Sequence, residues 1–462
     1  MKGCYVKIRK SMSDQTAEMQ NSLDILADLI KIARRKGAEA ADAVRLQGSS
    51  IQVSVRQGET EEVERSEAHD LGLRVLIGKK QAFVSSNDAR PVVLEELADR
   101  AIAMARNMPE DKYCGLADPA KLARDIPDLD LFDKASLMAD DLIISANEAE
   151  AAALAVKGVT NSEGASASSG RVSIALATSE GFSGAYSSSN FSVVASVIAG
   201  EGLGMERDYD FDSRHYHADM MPAADIGRSA GERAVKRLSP RKMPSGKVPV
   251  VFSKRVSASL LGHLASAISG GAIARGSSFL QDSLDKRIFA KGIRVIDDPH
   301  RKRGAASKPF DGEGVANGRL DLVEDGILRS WILNTATAKQ LGLETNGRAT
   351  RGTASPPGAS TTNLYMEVGT ATLKELISDI KSGFYVTDLI GFGVNEITGD
   401  YSRGASGFWI ENGEIVHPVS ELTIAGNLRG MFENLTPADD LEFRRGTNAP
   451  SLRIEGMTVA GT

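Results

Sequence analysis

A run of alternating small residues, VTNSEGASASSGRVSIALATSEGFSGAYSSSNFSVVASVIAGEG over residues 159–202, constrains this chain more than any other feature. Side chains on a strand alternate between two faces, so a period of two sustained this long reads as sheet rather than helix. Its density of Ser, Ala and Gly would suit a linker, but Ile174, Leu176, Phe182, Phe191, Val193 and Val194 need burying. The segment is therefore expected to be an antiparallel β-meander with small side chains.

The flanks fit a helix-and-sheet plan. Leu23, Ile25, Leu26, Leu29, Ile30 and Ile32 recur at helical spacing, which predicts a helix over 13–37 with Gly37 as its stop. IQVSVRQGETEEVERSE and LGLRVLIGKKQAFVSSND then alternate like strands, with QGE and GKK as turns. Pro91 opens a second helix, and a third covers about 135–156 after an irregular connector over 111–135. A further helix over 222–238 leads into LSPRKMPSGKVP, a Pro/Gly/basic hinge segment taken as the domain boundary. Beyond it come a strand (VPVVFS), a helix containing LLGHLASAIS and a β-rich remainder. Asp325-Gly326 and Asn412-Gly413 supply hairpin turn chemistry there. At 462 residues the chain exceeds what one core usually spans. The expected fold is α+β with two domains: a flexible extension over 1–20, an N-terminal helix/antiparallel-sheet domain over 21–240, and a C-terminal β-rich domain over 241–462.

Charge narrows the partners. With 55 basic against 61 acidic residues the net charge is −6, which offers no footprint for nucleic acid and no polybasic arm for a membrane. Two cysteines, Cys4 and Cys114, make no disulfide framework and suggest a reducing compartment. The basic start is not followed by an apolar run that would make a signal peptide. A cytoplasmic protein is expected.

Candidates for chemistry are few. Six histidines are scattered, and His263 lies alone on an apolar helix. A zinc-binding helix of the H-E-x-x-H kind needs a second imidazole four residues on and an adjacent Glu as base. Here the base position holds Leu264, and neither Ala267 nor Ile268 can bind metal. The rival is MERDYDFDSRHYHAD, residues 205–219. Asp208, Asp210 and Asp212 fall on one side of an extended chain, and His215 and His217 are expected to share a side in turn. Carboxylates with imidazoles could bind a divalent ion and support an independent hydrolase; the alternative is a solvated strand edge whose acids block pairing. GFGVNEITG lacks the spacing of a phosphate loop, so its glycines are assigned to turns.

GHLASAISGGAIARGSSFLQDSLDKRIF, then PFDGEGV, then ITGDYSRGASGFWIENGEIVHPVSELTIAGNL resemble the PmbA/TldE subfamily of the TldD/PmbA proteins. The likeness runs from about residue 20 to the end and is densest between 259 and 428. It implies the two-domain fold and subunits that pair. In the TldD branch a helix with H-E-x-x-x-H supplies two zinc ligands and a Glu base, and a C-terminal Cys supplies a third ligand. The TldE branch lacks that metal site. Mapped here, His263 falls at the first His, Leu264 replaces the Glu and Ile268 the second His, and no Cys follows Cys114.

The resemblance thus implies a subunit with no metal or catalytic residue of its own. It would act beside a TldD-type catalytic subunit that holds the zinc. Together the pair would trim unfolded peptides, as in the maturation of peptide-antibiotic precursors or the degradation of an antitoxin. The chain could also pair with itself. A regulatory binding role, of the gyrase-modulator type, is the rival from another class. Tyr401 and Arg403 are the candidate contacts to peptide or partner, with hairpin packing as their other reading. The strand over 391–410 and the sheet over 171–198 are the expected places for backbone approach.

Overall fold

The computed structural model describes residues 12–461. Alternation in the first half builds one six-stranded antiparallel sheet. Its strands are β1 (Ala40–Arg56), β2 (Glu59–Ile77), β3 (Lys80–Ser86), β4 (Val159–Thr178), β5 (Ser183–Ala199) and β6 (Glu206–Arg214), in the order β3-β2-β1-β4-β5-β6. The small-residue run is thus one long hairpin, β4–β5, extended by β6. At the β1–β2 turn both Gln57 and Gly58 take positive φ, the backbone that suits a tight hairpin.

Four helices cover one face of this sheet at two stations. Helices α1 (Met12–Arg35) and α2 (Pro91–Asn107) bury Leu26, Leu29, Leu97 and Ala101 against Ala43, Leu73 and Val75. Helices α3 (Ala139–Leu154) and α4 (Ala223–Lys236) bury Ala146, Ala149, Ile226 and Ala230 against Val53, Ala165, Ala195 and Val197. The facing residues are small because the backbones come close: a Cβ on Gly227 of α4 would lie 1.8 Å from the Ala149 carbonyl oxygen. Residues 12–20, expected within a flexible extension, belong to α1. Residues 1–11, with Cys4, lie outside the described residues.

After the 238–249 segment the chain forms a second body. Strands β7 (Gly246–Phe252), β8 (Ser382–Val394), β9 (Asp400–Glu411), β10 (Glu414–Asn427) and β11 (Leu452–Ala460) run in the order β10-β9-β8-β7-β11. β11 also pairs with β10, Ile424 opposite Val459, so the strands close into a barrel. β7 and β8 pair in parallel; the other barrel pairs are antiparallel. A sheet of short strands around Val295–Asp297 and Leu320–Glu324 packs beside it. One apolar core joins Phe252, Phe384, Ile424 and Val459 to helix α5 (Ala258–Ala267). Asp325-Gly326 and Asn412-Gly413 make the expected hairpin turns, all four residues at positive φ.

Buried ion pairs bind the bodies at both ends of the long sheet. At one end of the long sheet, Asp42 on β1 pairs with its neighbour Arg74 and, across the boundary, with Arg351 at 2.5 Å. Burial by itself would raise the Asp42 carboxyl, but the two guanidiniums hold it below its ordinary value. Phe182 packs edge-on against Phe310 there, and a Cβ on Gly72 would lie 2.2 Å from the Thr353 carbonyl oxygen. At the other end β6 faces Arg255 and Arg444 of the second body. Among the described residues no helix is long and apolar enough to cross a membrane.

Candidate functional site

Helix α5 turns Leu260, Leu261, Leu264 and Ala267 into the core, while Gly262 and Ser266 face outward. Leu264 and Ile268 are both fully buried. His263 lies between these faces, half-buried. Its ring meets Tyr401 on β9 edge-on, with centroids 5.9 Å apart and planes at 79°. His263 Nε2 is buried without a hydrogen-bond partner, and so is the hydroxyl of Tyr401. Burial, and secondarily the charge on Arg403, pushes the imidazole below its ordinary value of 6.5, so His263 is neutral at neutral pH. Burial likewise raises the Tyr401 phenol.

Arg403, two residues along β9, donates from Nε to the Ile390 carbonyl at 3.3 Å and lies 6.0 Å from the Phe392 ring. β8 meets β7 only at Phe384–Val386 but follows β9 out to Val394. Residues 388–394 of β8 therefore leave one edge unpaired. Ile390 and Phe392 stand in the open there, with 62% and 99% of their surface exposed. Of the glycines assigned to turns, Gly391 and Gly399 do take positive φ. Gly393 serves another end: a Cβ there would lie 1.9 Å from the Ser402 carbonyl oxygen. The structure thus brings His263, Tyr401 and Arg403 to one place beside an open strand edge. The apolar tip Ile390/Phe392 was missed from sequence, although LIGFGV alternates apolar residues with glycine.

The donors present do not fit a catalytic zinc. Such a site takes three protein ligands and a water, and the α5 helix offers His263 Nε2 alone. Among the described residues no group of three or more His, Cys, Asp or Glu is placed to hold a metal ion. Cys114 is buried, and burial pushes its thiol up.

The Asp/His run over 205–219 is not a metal site either, which corrects that alternative. Asp208, Asp210 and Asp212 do share a face, but arginines fill it. Asp208 meets Arg255 at 2.5 Å and Arg237 at 3.4 Å; Asp210 meets Arg233 at 3.0 Å and Arg444 at 3.4 Å. Asp212 meets Arg214 at 3.0 Å and accepts the Met221 N–H. The histidines diverge because the strand ends at Arg214. Both ring nitrogens of His215 face carbonyl oxygens, Ser189 at 2.6 Å and Gly304 at 3.1 Å. His217 turns away against Phe191.

Three family models match in series: the PmbA/TldA metallopeptidase domain 1 over residues 41–105, its central domain over 124–238 and its C-terminal domain over 245–461. A protein from Escherichia coli named metalloprotease PmbA is 37% identical, covering 98% of this chain and 99% of its own. The chain belongs to the PmbA/TldD family. A PmbA homologue from Haemophilus influenzae is 36% identical, over 96% of this chain and 97% of its own. Among solved PmbA/TldD folds, a protein from Bacteroides thetaiotaomicron described as a modulator of DNA gyrase superposes with a TM-score of 0.88 at 28% identity. That match covers 98% of this chain and all of the other. TldE from Thermococcus kodakarensis superposes at 0.84 with 20% identity, over 95% of this chain and 100% of its own, a likeness of fold.

Proposed function

We propose that this chain is the TldE-type, metal-site-lacking subunit of a two-subunit zinc peptidase in the cytoplasm. The catalytic zinc and its base belong to a TldD-type partner carrying H-E-x-x-x-H, and the substrate is an unfolded peptide. One observation carries this reading: the positions of the missing Glu and second His are Leu264 and Ile268, both sealed in the core. A single neutral imidazole cannot hold the metal, and nothing adjacent on α5 would take a proton from its water.

The open edge of β8 supports a positioning role. An extended peptide can add to such an edge through main-chain hydrogen bonds, which accept any sequence. Ile390 and Phe392 beside it offer apolar contact to peptide or partner, and Arg403 holds the strand in shape through the Ile390 carbonyl. Peptide-antibiotic precursors and a labile antitoxin suit this reading, because both present unstructured chain.

The test is co-purification with a subunit carrying the intact motif, followed by degradation of an unstructured peptide. Cleavage is expected from the mixture and from neither this chain nor a motif-dead partner. Chelator-sensitive cleavage by this chain alone overturns the proposal.

A further inference from the structure

The chain is acidic overall, yet one groove between its two bodies is walled by cations. It lies where the end of β6 meets the loops over 301–305 and 443–445, and it encloses ≈ 500 Å³. Some of its cations are already matched: Arg214 holds Asp212 at 3.0 Å, and Arg303 holds Asp219 at 2.9 Å. Arg301 and Arg445 form no ion pair among the described residues, and Lys302 feels only the charge of Asp130 from a distance.

Two of these three are fixed in place. The Arg301 guanidinium lies 3.5 Å from the centroid of the Phe443 ring, and that of Arg445 lies 4.8 Å from the Phe211 ring. Their wall is pinned by buried Asn448. Its side-chain oxygen accepts the Arg444 and Arg445 N–H groups at 3.0 Å each, and its amide donates to the Arg445 carbonyl at 2.6 Å. Arg214 donates to the Phe443 carbonyl at 3.1 Å. A guanidinium stacked on a ring keeps its N–H edge free, and that edge matches a carboxylate through two parallel hydrogen bonds. Such a fork has lost much of its side-chain freedom before any ligand arrives, so binding costs less.

We propose that this groove binds an acidic stretch of the unfolded peptide. Arg301 and Arg445 each take a carboxylate, and Lys302 adds charge between them. The proposal rests on the peptide-handling reading above: that reading supplies a peptide, and the groove selects its charge. Nucleic acid fits less well. Bases stack on open aromatic faces, and Phe443 and Phe211 each already carry a guanidinium.

The test is fluorescence anisotropy on the isolated full chain, with a labelled unstructured peptide bearing a run of Glu and the same peptide with Gln in its place. The Glu peptide is expected to bind at least about tenfold more tightly at low salt, and added salt should shrink that preference. Arg301→Ala with Arg445→Ala removes the preference. Arg301→Lys with Arg445→Lys, which keeps the charge and loses the fork, retains only part of it. The double Ala variant should still melt cooperatively, lowered only by the two lost ring contacts, since neither arginine gives up an ion pair. Equal binding of the two peptides overturns the proposal, as does a preference that survives the double Ala variant. Tighter binding of a single-stranded oligonucleotide, lost in that variant, also overturns it by making the groove a nucleic-acid site. The assay uses neither partner nor cleavage, so its failure is distinguishable from failure of the two-subunit reading.

Discussion

Two polar clusters that the sequence offers as candidate metal sites differ in how their charges are met, although Asp212 Oδ1 and Arg444 Nε of the first make no hydrogen bond. On β6, each of three aspartates is met by arginine, and Asp212 also receives a backbone N–H. On the α5 face, His263 and Tyr401 each bury a polar atom that meets nothing. Native proteins leave few buried polar groups unpaired, because an orphan costs roughly 1–3 kcal/mol. A cluster whose charges are matched explains itself as architecture. An unsatisfied pair asks what it formerly held or what now docks on it. The acidic run that resembled a metal site is the charge-matched one, and the lone imidazole, with Tyr401, is the pair left open.

The sharpest way to break this contrast is Leu264→Glu, which restores the family carboxylate. Position 264 is fully buried, so an unpaired charge there should cost at least about 3 kcal/mol and yield little folded protein. A soluble, cooperatively melting variant would mean the helix can turn that position outward. Next is Asp208→Ala, which strands Arg255 in a mostly buried setting, while Arg237 keeps Glu206 and Asp388. The expected loss is about 3 kcal/mol in denaturant unfolding; a change under about 1 kcal/mol would make the cluster ordinary surface pairing.

Acid probes a second charge-matched cluster, Asp42 with Arg74 and Arg351. The Asp42 carboxyl sits below its ordinary 3.8, so its contribution is present above that value. It is lost as pH falls below 3.8 through the depressed folded value. Asp42→Asn should lower stability at neutral pH and flatten the acid limb of the unfolding curve.

The open cluster should respond less. His263 titrates below its ordinary 6.5 in the folded chain. Its stabilising share is therefore present above 6.5 and lost as pH falls through the folded value. His263→Leu should remove that slope while changing stability at neutral pH by less than about 1 kcal/mol. The smallest effect belongs to Tyr401→Phe, which deletes an orphan hydroxyl; a change of zero to about 1 kcal/mol, in the stabilising direction, is expected from thermal melts. A loss larger than this would reveal a hydrogen-bond partner and dissolve the contrast.

What could be read from sequence was local. Alternation over 159–202, the Asp-Gly and Asn-Gly turns and the Pro91 helix start each follow from a few neighbouring residues, and each is present. Side-sharing among Asp208, Asp210 and Asp212 also followed from strand geometry. Their partners did not: Arg255 and Arg444 arrive from the other body, and no local pattern announces them. His215 and His217 parted because the strand stopped at Arg214, and boundaries are what periodicity marks least well. Barrel closure through Ile424 and Val459, and the parallel meeting of β7 with β8, are long-range pairings of the same kind. The cationic groove was hidden by arithmetic, since a net charge of −6 averages away the short basic runs at 301–303 and 444–445.

The long sheet touches the second body at both of its ends, through Asp42 and through Asp208. Asp42 lies opposite Thr178 of β4, and Asp208 aligns through β5 with Ser162, a span of roughly 50 Å at the usual rise of a strand. Between these ends the bodies meet again, where Arg303 pairs with Asp130 at 2.6 Å and with Asp219 at 2.9 Å. Swinging the bodies apart would break several buried ion pairs at once, so the chain presents to any visitor a preset dock rather than a jaw.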